Sequence, residues 1–413
     1  IAEQVARQLD ITVLEPERRA MYSNPTDNQE AYDLYLQGRE YGEQGWRSSD
    51  SGGFEQAIQM FERAIELDPN FALAYVHMAN AHLRVYFFGA DRSEERLARG
   101  RSAAERALEL QPDLPEALES MALYYYWGFL DYDRAVEILE SIQRARPNLV
   151  PNLLGYIKRR QGKWEESVET MKKSFELDPR YSQLAYEISG AYVSMRQYEK
   201  AKEWCDKALS INPDHLASQL GKAGIHVLSE GDLAKARAIL EQAPQHPLTD
   251  YMWFTLNMIE RNYQEILDRL DSLSYSLFEE QHIYFHRDLA YAAVYHAMGE
   301  MSKVETHAGW VKSALERSIN EDPSDPRYHA ALGLTYAYLG QRDQAIQEGE
   351  RAASLYPVSK DLAMGPIYIM NMARIFTLVG EHERAIEQLE YLISIYSAEF
   401  LWQVISVPLL RIC

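Results

Sequence analysis

Apolar and small residues recur at helical spacing along most of the chain, in short runs that come in pairs. In the clearest pair, residues 183–195 and 198–211 are separated by Arg196-Gln197. Residues three or four positions apart lie on one face of a helix. The paired runs therefore predict two antiparallel helices joined by a tight turn. The predicted packing faces carry Ala185, Ile188 and Tyr192 in the first run and Ala201, Cys205 and Ala208 in the second.

Proline marks the end of such a pair at a regular interval. Pro179 and Pro213 are 34 positions apart. Proline ends a helix because it lacks the amide hydrogen and disfavours helical geometry at the residue before it. Small residues at packing positions, such as Ser189, allow two helix axes to approach closely. The interval therefore predicts a helical hairpin that repeats along the chain.

This period and residue pattern resemble the tetratricopeptide repeat (TPR) family. The pattern recurs at 154–179 and 332–357, and weakens without vanishing between 215 and 320. The most complete copy contains Leu332, Gly333, Tyr336, Gly340, Ala345, Ala352 and Pro357. The resemblance implies an all-α fold, a right-handed superhelical solenoid of about ten TPR-like helix-turn-helix hairpins between residues 30 and 396.

We expect five segments along the chain. They are a helical end of a preceding domain plus a linker (1–29), an N-terminal TPR block (30–214), degenerate repeats (215–322), a C-terminal TPR block (323–396) and a capping tail (397–413). The opening Ile-Ala-Glu-Gln-Val-Ala-Arg-Gln-Leu and the later Asn-Pro-Thr-Asp-Asn-Gln-Glu-Ala-Tyr resemble the junction in bacterial proteins that join a TolB-like domain to such repeats. Those proteins attach the repeats to nucleotide cyclases, protein kinases or winged-helix regulators. The resemblance implies that this chain is the C-terminal repeat region of a larger bacterial signalling protein.

The charge balance narrows the classes of partner. With 42 basic and 62 acidic side chains, the formal charge is −20, which repels nucleic acid and anionic lipid. The most apolar stretch, 400–410, is about half the ~20 residues that span a bilayer. We therefore expect no nucleic acid partner and no direct membrane insertion. We expect a bacterial protein whose repeats lie in the cytoplasm or the periplasm and are tethered through an upstream membrane segment.

Motifs for catalysis are missing from the sequence. It contains no glycine-rich phosphate loop, no Gly-x-Ser-x-Gly elbow and no Cys-x-x-Cys pair. Cys205 falls at a packing position, which favours a small buried residue over a reactive thiol. The sequence therefore predicts a protein that is not an enzyme and uses no cofactor. A metal-dependent or other enzyme with a site built across repeats is the alternative.

One histidine pair is a candidate for metal binding. On a helix, His282 and His286 would project two imidazoles from one face, with Glu279, Glu280 and Asp288 nearby. The pair lacks the glutamate of a zinc-protease helix, because Ile283 follows His282. Ordinary histidines at the surface or at the edge of the core are the alternative interpretation.

The family resemblance implies a concave groove lined by first-helix residues that face away from the packing set. Tyr, Trp and Arg dominate binding hot spots, and Asn can bond a peptide backbone. The groove candidates are Asn80, Arg84, Tyr126, Trp127, Asn152, Tyr156, Arg159, Arg160 and Tyr186. We expect a protein or peptide partner whose acidic groups meet the arginines. The alternative is that these side chains only brace or solvate the groove.

A second copy of the chain is another candidate partner. The ends of solenoids need polar caps, whereas the stretch 400–410 is apolar. It would pack on the last hairpin or on a second copy, which makes homodimerisation the alternative function. The sequence thus favours a protein-interaction scaffold over an enzyme.

Overall fold

The computed structural model describes residues 25–48, 51–88, 91–146, 149, 151–280 and 282–395. Within them the protein forms twenty α-helices and one two-stranded antiparallel sheet. The helices follow one another as helical hairpins, so the all-α fold class and the count of about ten hairpins are confirmed. Residues 1–24, the capping tail at 397–413 with its apolar stretch, and Cys413 lie outside the described residues.

The chain divides into two compact units, Ile1–Gly128 and Phe129–Cys413. We refer to them as unit 1 and unit 2. None of the helices in the described ranges is long and apolar enough to cross a membrane. From the N-terminal side, the described helices begin with α1 Gln29–Ser48, α2 Ser51–Leu67, α3 Ala72–Phe88, α4 Glu94–Leu110 and α5 Pro115–Phe129. Odd-numbered helices up to α19 are the first helix of a hairpin.

Unit 2 contains the remaining helices and the sheet. Its first half comprises α6 Tyr132–Ala145, α7 Asn152–Arg160, α8 Trp164–Leu177, α9 Ser182–Ser194, α10 Tyr198–Ile211, α11 Leu216–Glu230 and α12 Leu233–Gln242. Its second half comprises α13 Pro247–Glu260, α14 Tyr263–Ser272, β1 Leu277–Glu280, β2 Ile283–His286, α15 Arg287–Met298, α16 Met301–Glu321, α17 Pro326–Tyr338, α18 Arg342–Leu355, α19 Gly365–Leu378 and α20 His382–Ser394.

Small residues set the distance between helices in each hairpin. Ala345 and Ala352 on α18 are fully buried against α17 and its neighbours. A Cβ atom added at Gly333 of α17 would lie 2.8 Å from Cδ1 of Ile375 and 3.0 Å from the carbonyl oxygen of Ala345. Helix axes can approach only as far as the side chains between them allow. The small residues predicted from the repeat pattern are therefore packing residues.

The turn inside a hairpin follows from the end of its first helix. Gly340 has φ +70°, and the next amide, Gln341 N–H, donates to the carbonyl of Tyr336 at 2.8 Å. This is the left-handed end that glycine adopts without a steric penalty. At the predicted Arg196-Gln197 turn, Arg196 takes the same conformation with φ +57°, and Gln197 N–H donates to Tyr192 at 2.9 Å.

The stretch 277–286 forms a β-hairpin, whereas the sequence pattern predicted degenerate helical repeats there. Leu277 pairs with His286 and Phe278 pairs with Phe285. Aromatic and β-branched residues favour a strand, and Phe278, Ile283, Tyr284 and Phe285 are concentrated in this short segment. The ring of Phe285 is buried, with its centroid 5.7 Å from that of Tyr251 and 5.6 Å from that of Phe254.

A buried carboxylate connects α6 and α7, at the start of unit 2, with the loop between α18 and α19. Asp361 lies in the loop between α18 and α19 and is 0% exposed. The hydroxyl groups of Tyr132 and Tyr356 donate to Oδ2 at 2.6 and 2.8 Å, and Nη1 of Arg160 lies 3.4 Å away. Oδ1 accepts from the amides of Ala363 and Met364, both at 2.9 Å. We call these groups the Asp361 hub.

The hub corrects the prediction for Arg160. This side chain is 3% exposed and faces Asp361, 201 positions away in sequence, so it does not line a groove. Its own carbonyl accepts from Leu362 N–H at 2.9 Å. Met364 of the loop and Ile367 in the first turn of α19 join the same core cluster as side chains from α8 and α9. Unit 2 therefore closes on itself.

We predict that Asp361→Asn weakens the contact between α7 and the α18–α19 loop. The substitution removes the negative charge of Asp361 from beside the buried guanidinium of Arg160, and breaking a buried ion pair costs about 3 kcal/mol or more in proteins. Hydrogen–deuterium exchange of the Leu362 amide is then expected to accelerate about 100-fold. Asp343→Asn is the control, because Asp343 is 93% exposed and pairs only at the surface with Arg342. Equal exchange rates in the two variants would contradict the role of the hub.

Candidate protein-binding surfaces

Four of the predicted groove residues lie in unit 1, on α3 and α5. The side-chain oxygen of Asn80 accepts from the hydroxyl of Ser120 at 2.8 Å, so it connects the two helices. Tyr126 is only 5% exposed and belongs to the core. Arg84 and Trp127 remain half-buried at the surface. Two of the four therefore brace the hairpins, and the other two keep part of their surface open to solvent.

Arg84 and Trp127 belong to a row of aromatic side chains at the C-terminal ends of α1, α3 and α5. Trp46 contacts Phe88 with ring centroids 5.7 Å apart, Phe88 contacts Phe87 at 5.5 Å, and Phe87 stacks on Trp127 at 4.3 Å. The guanidinium of Arg84 lies 4.8 Å from the ring centroid of Trp46. We call these five residues the aromatic strip.

The aromatic strip is partly open to solvent. Trp46 is 39% exposed, and Arg84, Phe87, Phe88 and Trp127 are half-buried. An arginine over a tryptophan face gains about 0.5–2 kcal/mol and is held in one orientation. Trp46, Phe87 and Phe88 were not among the residues predicted from the sequence. Together with Trp127 they lie in the last turns of α1, α3 and α5, and this shared position is the signal that identifies them.

Glu119 on α5 is the carboxylate with the strongest upward pKa shift in unit 1 among the described residues. Burial raises its pKa to about 7, and the negative charge of Glu116 adds to the effect. A buried carboxyl group whose charged form is disfavoured destabilises the folded state once the solution pH exceeds its unfolded pKa. Glu119 thus makes the stability of unit 1 depend on pH between 4.5 and about 7.

We predict that Glu119→Gln stabilises the protein at pH 8 and not at pH 4. The unfolded carboxyl ionises near its ordinary value of 4.5 and the folded one near 7, so stability falls as the pH rises between these values. Glutamine removes this penalty, which is on the order of 1–2 kcal/mol for a half-buried group. Thermal unfolding at both pH values measures it. Glu66→Gln, at an exposed position of α2, serves as the control, and an equal gain at pH 4 would contradict the assignment.

The predicted groove residues of unit 2 contact neighbouring helices, within one hairpin and between hairpins. Nη2 of Arg159 lies 2.8 Å from Oε2 of Glu187 on α9, and Asn152 accepts a hydrogen bond from Ser174 on α8. Tyr156 and Tyr186 pack against the core cluster of α8 to α10. Arg160 is buried in the Asp361 hub. The contacts of this set therefore fit residues that hold helices together better than residues that line an open binding groove.

The second half of unit 2 contains a partly open cavity that sequence reasoning did not identify. Its walls come from the first helices α13, α15, α17 and α19 and from the β-hairpin, and its volume is about 260 Å³. We call it the inner cavity. Its apolar and aromatic walls include Tyr251, Phe254, Met258, Leu289, Leu334, Tyr338 and Tyr368. Its remaining polar lining includes His282, His286, His296, Arg327, Asn371 and Arg374.

The proposed helical pair of histidines is wrong. His282 lies in the turn of the β-hairpin and His286 at the end of β2, so the two do not share a helical face. Nδ1 of His286 accepts from Asp288 N–H at 3.1 Å, and the ring of His282 lies 5.3 Å from that of Tyr356. Within the described ranges, no three His, Cys, Asp or Glu side chains are grouped as metal ligands would be.

The buried position predicted for Cys205 is confirmed. Its side chain is 0% exposed, and burial raises the pKa of the thiol to about 12, with the charge of Asp206 adding to the effect. The thiolate is the reactive form of cysteine. Cys205 is therefore a core residue of the hairpin formed by α9 and α10.

Comparison with known proteins identifies the repeats. The tetratricopeptide repeat model matches residues 48–71, 152–181, 182–215 and 326–359. These segments cover α2, the hairpins α7–α8 and α9–α10, and the hairpin α17–α18. The chain therefore contains tetratricopeptide repeats.

Curated relatives are distant and differ in length. The chain is 21% identical to the protein CTR9 homolog of Arabidopsis thaliana over 267 residues, which is 62% of this chain and 24% of the relative. It is also 21% identical to the BBSome complex member BBS4 homolog of Drosophila melanogaster over 351 residues, covering 81% of this chain and 68% of the relative. The chain thus spans about a quarter of the first relative and two thirds of the second.

Solved structures with similar helical arrangements have low sequence identity. The thermophilic TPR protein TTC0263 of Thermus thermophilus has 16% identity and a TM-score of 0.41, covering 48% of this chain and 99% of that one. The human IFIT1 dimer with PPP-AAAA has 16% identity and a TM-score of 0.44, covering 74% of this chain and 69% of that one.

Proposed function

We propose that this chain is a non-catalytic protein-interaction scaffold that binds a segment of a partner protein at the aromatic strip of unit 1. The observation that carries the proposal is the row formed by Trp46, Arg84, Phe87, Phe88 and Trp127. Its members come from three successive hairpins, so a partner laid across it contacts several repeats at once. Stacked helical hairpins commonly supply such extended binding surfaces.

The composition of the strip fits a binding hot spot. Tryptophan and arginine are enriched among residues whose truncation costs at least about 2 kcal/mol of binding free energy. Arg84 is already ordered by its contact with Trp46, so less side-chain entropy is lost when a partner binds. The partner we expect presents apolar side chains to the rings and a carboxylate or a backbone carbonyl to the guanidinium of Arg84.

We further propose that the scaffold is the docking or sensory arm of a larger bacterial signalling or regulatory protein. The support is the resemblance of residues 1–9 and 24–32 to the junction that follows TolB-like domains. The name of one relative, a BBSome complex member, describes a protein that works within an assembly. Reading the gene on both sides of this coding segment tests this part of the proposal, because a cyclase, kinase or winged-helix motif is expected there.

Quantitative affinity capture tests the strip. The immobilised wild-type chain is compared with the double variant Arg84→Ala/Trp127→Ala in a lysate of the source organism. Truncating two hot-spot residues is expected to reduce recovery of the partner about 30-fold or more. Trp310→Ala is the control, since this tryptophan is 62% exposed and lies on α16 in unit 2. Melting curves of all three proteins verify that each is folded.

Two outcomes would contradict the proposal. One is equal recovery of the partner by the wild type and the double variant, and the other is the absence of any specific partner of the wild type. Trp127→Phe provides a second comparison, because it keeps an aromatic ring against Phe87 and should retain most of the binding. Light scattering at several concentrations shows whether the bound partner is a second copy of the chain.

A further inference from the structure

The imidazole ring of His329 forms hydrogen bonds through both of its nitrogens. His329 lies near the start of α17 and is 6% exposed. Its Nδ1 atom lies 2.6 Å from Oε2 of Glu348 on α18, and its Nε2 atom lies 3.1 Å from the carbonyl oxygen of Pro323 in the loop between α16 and α17. We call these three groups the His329 clasp. One ring thus connects α17 with α18 and with the loop before α17.

The two partners of the ring determine its protonation state. A backbone carbonyl and an ionised carboxylate accept hydrogen bonds and have no hydrogen to donate. A neutral imidazole carries one N–H group, so it can donate to only one of them, whereas the imidazolium donates from both nitrogens. In a neutral ring, the second nitrogen would direct its lone pair at an oxygen lone pair. The geometry of the clasp therefore requires a doubly protonated His329.

The charges around the ring favour the same state. The hydrogen bond to Glu348 raises the pKa of His329 above its ordinary value of 6.5, and the carbonyl of Pro323 and the charge of Glu348 add to the effect. Burial and the positive charge of Arg351, also on α18, oppose the shift. The cation of α19, Arg374, lines the inner cavity, whereas His329 does not.

Other acidic groups near this loop have partners of their own. Asp325, the N-cap of α17, forms an ion pair with Arg327, with Nη2 2.6 Å from Oδ2. Asp322 accepts from the amide and the hydroxyl of the serine two positions later. On α16, Glu316 accepts from a tyrosine hydroxyl further along α17. Among the described residues, the carboxylate that pairs with the ring is that of Glu348.

We propose that the His329 clasp is a pH-sensitive device that holds the α16–α17 loop against α18 and opens when the ring loses one proton. Deprotonation removes one of the two hydrogen bonds, and the neutral nitrogen must turn away from the oxygen that it faced. The loop then loses its side-chain link to α18. Arg327, two residues before His329, lines the inner cavity, so the clasp also helps to position a wall of that cavity.

The clasp stabilises the fold at low pH and not at high pH. The unfolded ring titrates near 6.5 and the folded ring above this value. The stabilisation is therefore complete below pH 6.5 and is lost as the pH rises through the folded pKa. The start of α17 should hence loosen on the alkaline side of neutrality.

Nitrogen NMR of the full chain, labelled with ¹⁵N-histidine, tests the protonation state. At pH 6.5, His329 is expected to show two protonated ring nitrogens, whereas His296, whose pKa is lowered by burial, should show one. The titration midpoint of His329 should fall by about one pH unit or more in Glu348→Gln, because an adjacent opposite charge shifts a pKa by about 1–3 units. Glu350→Gln, at an exposed position of α18, is the control and should leave the midpoint unchanged.

Hydrogen–deuterium exchange tests whether the clasp opens. Protection factors of the first turns of α17, corrected for the intrinsic effect of pH on exchange, are compared at pH 6 and pH 9. The wild type is expected to lose protection about 10-fold, the equivalent of a pKa shift of about one unit. His329→Gln should show the lower protection at both pH values, because glutamine does not titrate. The hairpin α9–α10 of the same unit is the internal control.

Three outcomes would overturn the proposal. They are a single protonated nitrogen in His329 at pH 6.5, a midpoint that Glu348→Gln leaves unchanged, and equal protection of α17 at pH 6 and pH 9. Melting curves verify that each variant is folded. If His329→Gln fails to fold, the wild-type titration and Glu348→Gln decide the question.

Discussion

A carboxylate that has no contact with solvent needs hydrogen-bond donors and a counter-charge from the protein. In unit 2 Asp361 is such a carboxylate. Two phenol groups, a guanidinium and two backbone amides meet these needs. Their positions range from Tyr132 to Met364, so the chain must bring α6, α7 and the α18–α19 loop together before the charge is stabilised. The closure of unit 2 depends on this interaction.

The hub also reaches the inner cavity. Tyr356 donates its hydroxyl hydrogen to Asp361, and its ring contacts those of His282 and Tyr368, with centroids 5.3 and 5.7 Å apart. His282 and Tyr368 both line the inner cavity. The same tyrosine therefore belongs to the closure and supports two wall residues, so the shape of the cavity depends on the hub.

Much of the fold could be predicted from local sequence. The hairpins α9–α10 and α17–α18 have small residues, a turn and a terminal proline at the expected spacings, and each of these features acts within one repeat. The β-hairpin at 277–286 was missed because the helical period was extended through a short aromatic segment. Arg160 was misplaced because its partner lies 201 residues away, and nothing near Arg160 in the sequence indicates a buried carboxylate.

The candidate sites, too, could be predicted only where the signal lies within one repeat. Arg84 and Trp127 could be chosen from their residue types and positions, whereas Trp46, Phe87 and Phe88 become significant only once three helix ends are seen side by side. Arg159 and Asn152 were chosen by the same reasoning, but their side chains bond to Glu187 on α9 and Ser174 on α8. The inner cavity combines residues from four first helices with a hairpin that the repeat pattern does not predict.

The closure of unit 2 also constrains how this protein can change in length. In an open repeat array each hairpin contacts only its neighbours, so whole repeats can be gained or lost with little effect on distant ones. Here the insertion or deletion of one hairpin between α7 and α18 would move Asp361 away from Arg160 and Tyr132. Unit 2 should therefore evolve by substitution within a fixed number of hairpins, and its repeats should unfold together and not one at a time.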